Sequence, residues 1–550
     1  MRKIQKQELI ELIDTLKEAS EQLKRCDGQQ REVFCGEIQE FVEGIYEYAL
    51  GVLCQEAKLV TLLEKIYETL FQVAKGEATP AQFSKEVQQV EIEAHSLKVD
   101  QIEVAFFCYK ASMADSLESV YLAAKADPQC EAFFVPIPYF DRDAEDVFGE
   151  MHLEGQGCYS DKFELTNWQQ YDVQQRHPDI IFIMNPYDET NHVTSVHPYF
   201  YSSRLKEHTD CLVYIEYGIP YSVYRDPEAI PLTEYRERGY VFPAHLHSDY
   251  VIDYCQGLVG SHKQTLRAFD SLTKQFQISE KDIEQRFVAL GSPKLDKVLN
   301  TGRKDYELPK EWEERIGEKK VVLLNSSLGE FLKASETGDA YFKKLQSIID
   351  EFSGRDEVVL WWRPHPLFET TIRTMRSSLH RKYISIVQNY IDANKGIYDC
   401  TEDMNRAIAW SDAMISDESS LLVLYAASGK PFYIPAITKV LENPVYDGEE
   451  DFSNPLKSRI EFMKTHKGAN IGEWNCCIWW EAFVEENRGW NIHYHNFLKR
   501  FLDFVVHPEK YPEAEEYRQL QVQMIRDFAV NSDGTAGQKI YEFAKQKTVE

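Results

Sequence analysis

Arg363 and His365 stand two positions apart in the run Trp361-Trp362-Arg363-Pro364-His365-Pro366, directly after the apolar stretch Val358 to Leu360. Arginine offers phosphate oxygens a planar fork of donors, and histidine exchanges a proton near neutral pH. The two prolines cannot extend a hydrogen-bonded ladder, so they end the strand and present both side chains at its carboxyl end. A stiff turn in which His365 merely caps the backbone would use the same residues. Further along, Asp417-Glu418-Ser419-Ser420 follows the apolar Ala413 to Ser416 and precedes Leu421 to Ala427 and Gly429-Lys430-Pro431. This order reads as strand, turn, helix, glycine stop and next strand. Ser419 and Ser420 then fall at a helix start, where unpaired backbone N–H groups and the helix dipole favour an anion such as a diphosphate. Asp417 or Ser419 acting as an ordinary helix cap is the plainer alternative.

A second group lies earlier in the chain, in Ala244-His245-Leu246-His247-Ser248-Asp249. On an extended segment His245 and His247 would point the same way, with Asp249 near enough to orient one imidazole. No third ligand accompanies them at metal-binding spacing, so no metal is expected. Lys110-Ala111-Ser112-Met113-Ala114-Asp115, after another apolar run, is a candidate phosphate or acceptor contact. It lacks the glycines of a dinucleotide fingerprint, and no cofactor is expected.

These groups need a scaffold that brings strand ends together. Residues 1–97 read as an all-α extension, because Leu9, Leu12, Leu16, Ala19 and Leu23 recur at helical spacing and Leu59, Leu62, Leu63, Ile66, Leu70 and Val73 repeat the pattern. It would serve as a docking or oligomerisation arm, or as a cap on the next domain. From Val99 the texture becomes short apolar runs between amphipathic segments: Ile102 to Phe107, Ala132 to Ile137, Ile180 to Met184, Leu212 to Ile215 and Phe287 to Leu290. Runs of this kind are strands buried on both faces, and the segments between them supply the helical crossovers of a parallel sheet. After the charged stretch Asn300 to Lys319, a linker with or without a helix, a second set of runs begins: Lys320 to Leu324, Val358 to Trp362, Ile384 to Val387, Ala413 to Ser416 and Pro431 to Ile434. The expected class is α/β, with two doubly wound domains over residues 98–300 and 301–505, and helices over 506–550 packing back on them. Ligands bind beyond the carboxyl ends of such strands, in a crevice the two domains would share.

At 550 residues the chain exceeds a single hydrophobic core. A net charge of −29, from 61 basic and 90 acidic residues, repels nucleic acid and anionic membrane surfaces in bulk, so no nucleic-acid partner is expected and any polyanion must be held by a local site. The 11 cysteines are odd in number and form no C-x-x-C pair, as suits reduced thiols. The amino-terminal stretch has no apolar signal region, and no segment approaches the ~18 unbroken apolar residues of a membrane span. The expected location is the cytoplasm, with homo-oligomerisation or peripheral association at the inner membrane face as further options.

The ordered set of motifs resembles the CDP-glycerol glycerophosphotransferases that build teichoic-acid-like polymers. Arg363-Pro364-His365-Pro366 is similar to that family's R-P-H-P, and Ser416-Asp417-Glu418-Ser419-Ser420 with Gly429-Lys430-Pro431 to its T-D-Y-S-S and K-P elements. Leu290-Gly291-Ser292-Pro293-Lys294-Leu295-Asp296 resembles its G-x-P-R-x-D segment, and Gly534-Thr535-Ala536 its carboxyl-terminal D-G-x-A. Glu418 stands at the position of the family's tyrosine. In the first domain, Ile215-Glu216-Tyr217-Gly218-Ile219-Pro220-Tyr221 is the best match to W-H-G-T-P-L-K, with Tyr217 at the histidine position.

The resemblance implies a GT-B architecture, two facing Rossmann-like domains, and transfer of an alditol phosphate from a CDP-alditol to a hydroxyl of a polyol-phosphate or glycan acceptor, with release of CMP. It makes His365 the second-domain catalytic histidine, as acid or as cationic stabiliser. Arg363, Asp417, Glu418, Ser419 and Ser420 would grip the phosphates. Gly218, Tyr217, Gly291, Lys294 and Ser326 join the substrate-binding set, and His245 and His247 stand in for the missing first-domain histidine. Two other readings use the same crevice: a nucleotide-sugar glycosyltransferase, and a binding or assembly protein without turnover.

Overall fold

The computed structural model describes residues 1–142, 147–220, 223–224, 226–333, 339–401, 403–417, 419–436, 481–482 and 492–549. Four helices come first: α1 (Lys3–Leu23), α2 (Gly28–Val52), α3 (Lys58–Lys75) and α4 (Pro80–Ser96). Leu9, Leu16, Leu23, Leu59, Leu63, Ile66 and Leu70 are fully buried in their shared core, as the helical spacing requires. Arg2 fastens this unit to the first sheet, with 2.8 Å hydrogen bonds to Glu103 and Asp179. Lys3 pairs with Asp210 at 2.9 Å.

The next strands are β1 (Ile102–Cys108), β2 (Cys130–Pro136), β3 (Tyr139–Arg142), β4 (Phe148–His152), β5 (Ile180–Ile183), β6 (Thr194–Val196), β7 (Cys211–Ile215), β8 (Tyr250–Asp253) and β9 (Phe287–Ala289). Six of them form a parallel sheet in the order β2-β1-β5-β7-β8-β9, while β3, β4 and β6 make a small antiparallel sheet at its side. Glu103, Asp179 and Asp210 all lie at the amino ends of parallel strands, so the helical unit caps the end of the sheet away from where ligands bind.

A second parallel sheet holds β10 (Lys320–Ser326), β11 (Val358–Pro364), β12 (Ile397–Tyr398), β13 (Ala413–Ser416) and β14 (Phe432–Tyr433) in the order β12-β11-β10-β13-β14. Every residue of β7, β11 and β13 is buried, the pattern of strands covered on both faces. The chain is therefore α/β, two Rossmann-like doubly wound sheets of the GT-B kind behind an all-α amino-terminal unit. The strand order reverses between β1 and β5 in the first sheet and between β10 and β13 in the second. Those reversals are the topological switch points, where crossover helices leave on opposite faces and open a crevice at the strand ends.

Ile384 to Val387, expected as a strand, lies instead within the helix Ser377–Ala393. Leu379, Tyr383, Ile386, Val387 and Tyr390 fall on one buried helical face, so their period of three to four outweighs the β-branched composition of the short run. Within the two parallel sheets β8 and β12 are additions to the expected set, both short and defined only by their neighbours, and the antiparallel β3, β4 and β6 are further additions. The chain returns to the first sheet at its end: the helix Pro512–Phe528 packs on Leu421–Ala427, and Ala536–Val549 packs on the helix that comes after β1, Glu118–Ala126. Among the described residues no helix is long and apolar enough to cross a membrane.

Candidate functional site

In the second sheet, strand register places Arg363, Asn325 and Ser416 in one row across the tips of β11, β10 and β13. Asn325 occupies the switch point. Its Nδ2 donates to Ser416 Oγ at 2.9 Å and to Ser419 Oγ at 3.2 Å. Arg363 is 5% exposed and donates through Nη2 to the Thr401 carbonyl at 2.9 Å. His365 lies on the same tip, its backbone N–H held by the Ser326 carbonyl at 3.0 Å. The imidazole reaches solvent, and its Nδ1 accepts the Leu367 N–H at 3.1 Å, so the backbone cap engages only one of its two ring nitrogens. Burial of its inner side, then the charge of Arg363, hold the His365 pKa below its ordinary range. In the free protein this histidine is neutral at pH 7.

Asp417 is an anchor rather than a ligand-facing group. It is 4% exposed, and it accepts from Ser327 N at 2.8 Å, Tyr341 OH at 2.9 Å and Lys344 Nζ at 2.5 Å. A carboxylate satisfied in this way has no charge to spare for a substrate, and it pins the turn after β13 to the turn after β10. Ser326 is equally committed, its hydroxyl accepting Trp362 Nε1–H at 3.1 Å. Ser419 is half-buried and Ser420 exposed, ahead of a helix, Leu421–Ala427, of 7 residues. The helix begins where the sequence placed it, directly after Ser420. Glu418 lies outside the described residues. Lys430 caps the helix Met404–Trp410, donating to the Ile408 and Ala409 carbonyls at 2.6 and 3.1 Å, and burial pushes its pKa down to about 8.

The first-domain candidates are rearranged. Residues Pro243–His247 form a short helix instead of an extended segment, because Pro243 occupies its first turn. The two imidazoles therefore part. His245 is 2% exposed and packs against Tyr214, His262 and Phe287. His247 bonds Ser202 Oγ through Nδ1 at 2.8 Å, and Ser202 in turn donates to Asp188. Asp249 accepts the Leu212 N–H at 2.8 Å, which puts it and the neighbouring His247 toward the amino ends of β7 and β8, away from the crevice. Asp249 pairs with Lys206 rather than with either histidine.

At the carboxyl end of β7, Tyr217 hydrogen-bonds the Tyr187 hydroxyl at 2.9 Å. Burial first, then that bond, push its phenol pKa up, which makes it a poor base. Gly218 N donates to Glu216 Oε1 at 3.1 Å. Beside them, His262 Nδ1 bonds the fully buried Asp253 at 3.1 Å. Burial works against the His262 cation, but Asp253 and then Glu216 outweigh it and hold its pKa above the ordinary value.

Gly291 and Lys294 serve the architecture. Gly291, at φ +96°, lets the Val530 carbonyl approach to 2.5 Å of where a Cβ would stand. Lys294 forms a buried ion pair with Asp115 at 2.7 Å, and Asn405, on the helix Met404–Trp410 that comes after β12, donates to the other Asp115 oxygen at 3.0 Å. The helix Pro293–Asn300 also packs on Leu421–Ala427, which brings the loops at the carboxyl ends of both sheets together. Asn325 and His262 are not among the residues the motifs single out. A hollow lined by Asp350, Glu351, Arg355 and Glu357 lies before the amino end of β11, remote from these tips.

No protein-family model and no curated protein matches the sequence. Among solved structures, the wall teichoic acid polymerase TagF is similar at 13% identity over 89% of this chain and 98% of that one, with a TM-score of 0.41. A UDP-N-acetylglucosamine 2-epimerase is similar at 12% identity over 82% of this chain and 96% of that one, with a TM-score of 0.42. MnaA of S. aureus, in a structure with UDP, is similar at 12% identity over 81% of this chain and 97% of that one, with a TM-score of 0.40.

Proposed function

We propose that the chain is a transferase whose second sheet grips the diphosphate of a CDP-alditol, and that it passes the alditol phosphate to a hydroxyl of a polyol-phosphate or glycan acceptor at the cytoplasmic face of the cell envelope. The observation that carries this reading is the row Arg363, Asn325 and Ser416, joined by Ser419, at the switch point of a doubly wound sheet. The Arg363 guanidinium and the Ser419 hydroxyl are donor types a diphosphate takes, and the ordered motifs around them resemble the glycerophosphotransferases. The Asn325 amide and the buried Ser416, whose hydroxyl donates to the Asp417 carbonyl at 2.6 Å, shape the turn that presents Ser419. The acceptor hydroxyl oxygen attacks the phosphorus bearing the alditol and gives up its proton to solvent, the bond from that phosphorus to the bridging oxygen breaks, and CMP leaves. Catalysis is then mostly positioning and charge stabilisation. Neutral in the free protein, His365 takes up a proton beside the bound dianion and stabilises the departing phosphate.

A thermal-shift panel tests the donor class. CDP-glycerol, CDP-ribitol and CDP should raise the melting temperature at concentrations where UDP- and GDP-sugars do not. Stabilisation by the sugar nucleotides alone would replace this reading with a glycosyltransferase. A second reading, binding without turnover, is favoured by one observation: Tyr217, at the position of the family's first-domain histidine, is tied to Tyr187. CMP release by purified protein given CDP-glycerol and a glycerol-phosphate oligomer would exclude it.

A further inference from the structure

We propose that Glu216, His245 and His262 bind one divalent transition-metal ion of the zinc type, with Asp253 as the outer partner of His262. One ligand atom from each of the three side chains lies within 4.8 Å of the others. The three come from separate elements: the carboxyl end of β7, the helix Pro243–His247 and the helix Gln256–Ala268. Convergence from independent elements is how a folded chain builds a site that its sequence does not display as a motif.

The hydrogen bonds around the cluster leave its inner atoms turned to such a use. His262 Nδ1 faces Asp253 Oδ2 at 3.1 Å, which fixes the proton on Nδ1 and leaves the Nε2 lone pair for a metal, the carboxylate–histidine–metal relay. Asp253 is fully buried and ends β8, beside Glu216 after β7, so it is rigidly placed. Glu216 is oriented by the Gly218 N–H on Oε1 at 3.1 Å. The independent observation is His245: its ring is 2% exposed, and its Nε2 is buried without a hydrogen-bond partner among the described residues. A buried imidazole nitrogen with no partner is a loss that folding rarely tolerates, and a bound cation removes it.

Two imidazoles with one carboxylate suit zinc, cobalt or iron(II) rather than magnesium or calcium, which take oxygen ligands. Three protein ligands leave a coordination position open to water or a substrate oxygen. Tetrahedral binding at ~2.1 Å draws ligand atoms to roughly 3.4 Å from one another, so the side chains close inward on binding. The expectation from sequence was no metal, because His245 and His247 had no third ligand; the structure supplies Glu216 and His262 and sends His247 elsewhere. Metal binding at this cluster does not depend on the donor's identity.

Untagged full-length protein, stripped with a chelator and titrated with Co²⁺, tests it. The expected result is visible d–d absorption that saturates at about one equivalent and is displaced by Zn²⁺. Glu216→Gln and His262→Ala should each weaken the titration at least tenfold, with unchanged far-ultraviolet circular dichroism. If the variants do not fold, the wild-type spectrum still decides, because cobalt held by cysteines shows intense near-ultraviolet thiolate absorption and cobalt held by imidazole and carboxylate does not. No d–d band, a thiolate-dominated spectrum, or titrations unaltered in both variants would overturn the proposal.

Discussion

Asn325 and Ser419 meet across the junction of β10 and β13, the amide Nδ2 of one donating to the hydroxyl of the other at 3.2 Å although 94 residues separate them in sequence. The same amide also reaches Ser416, so one side chain sets the shape of the switch point. Arg363 and His365 on the next strand complete the arc of groups that would face a diphosphate.

Replacing Asn325 by alanine should remove the donor and loosen both serines. The expected effect is a rise of about tenfold in the dissociation constant for CDP-glycerol, in line with the ~0.5–1.5 kcal/mol net value of a hydrogen bond. Asn325→Asp, which sets a carboxylate against the diphosphate, should weaken binding further. Calorimetric titration with each variant checks the order, and equal affinities would place the diphosphate elsewhere.

The buried pair Lys344–Asp417, at 2.5 Å and with both side chains under 5% exposed, ties the helix Asp339–Ser353 to the turn after β13. Lys344→Met would strand the carboxylate. Urea unfolding should show a loss of about 3–5 kcal/mol, the usual result of breaking one side of a buried ion pair. A change below ~1 kcal/mol would mean that the pair is open to water.

Asp188 gives a pH signature. Burial first, only partly offset by hydrogen bonds from Ser202, raises its pKa from 3.8 to about 7. Between those two values the folded chain holds a proton that the unfolded chain has released, so stability falls as pH rises through this window and levels off above it. D188N removes the titration and suits the local backbone, because Asp188 sits at φ +44°, where asparagine is well tolerated. The difference in melting temperature between D188N and wild type should grow from pH 4.5 to pH 7.5; parallel profiles would contradict the assignment.

Asp296 accepts the backbone N–H groups of Ala536 and Gly537 at 3.0 and 2.7 Å, which docks the last helix at its start. Asp296→Ala should cost ~1–2 kcal/mol and expose residues 529–536 to protease. Unchanged cleavage kinetics would show that packing on the helix Glu118–Ala126 holds the terminus unaided.

What the sequence made legible was local. Pro364 and Pro366 punctuate a buried strand, so Arg363 and His365 could be placed at its tip before any fold was known. Leu290 to Asp296 and Gly534 to Ala536 stood out in the sequence only as two separate resemblances; the fold brings them together, where Asp296 docks the final helix. Asn325 carries no local signal, because its role comes from register across three strands. His262 is hidden in the same way within a helix, and its meaning depends on Asp253, Glu216 and His245 arriving from other elements. The error at His245 and His247 came from reading alternation as a strand where Pro243 starts a helical turn.

The central claim is that the tips of β10, β11 and β13 act on a CDP-alditol. Single-turnover release of CMP from CDP-glycerol, with a glycerol-phosphate oligomer as acceptor, tests it most directly in wild type and in His365→Ala. The predicted result is a fall of about 10²-fold or more, the usual contribution of a positioned acid or charge stabiliser. Equal rates in the two proteins would contradict it.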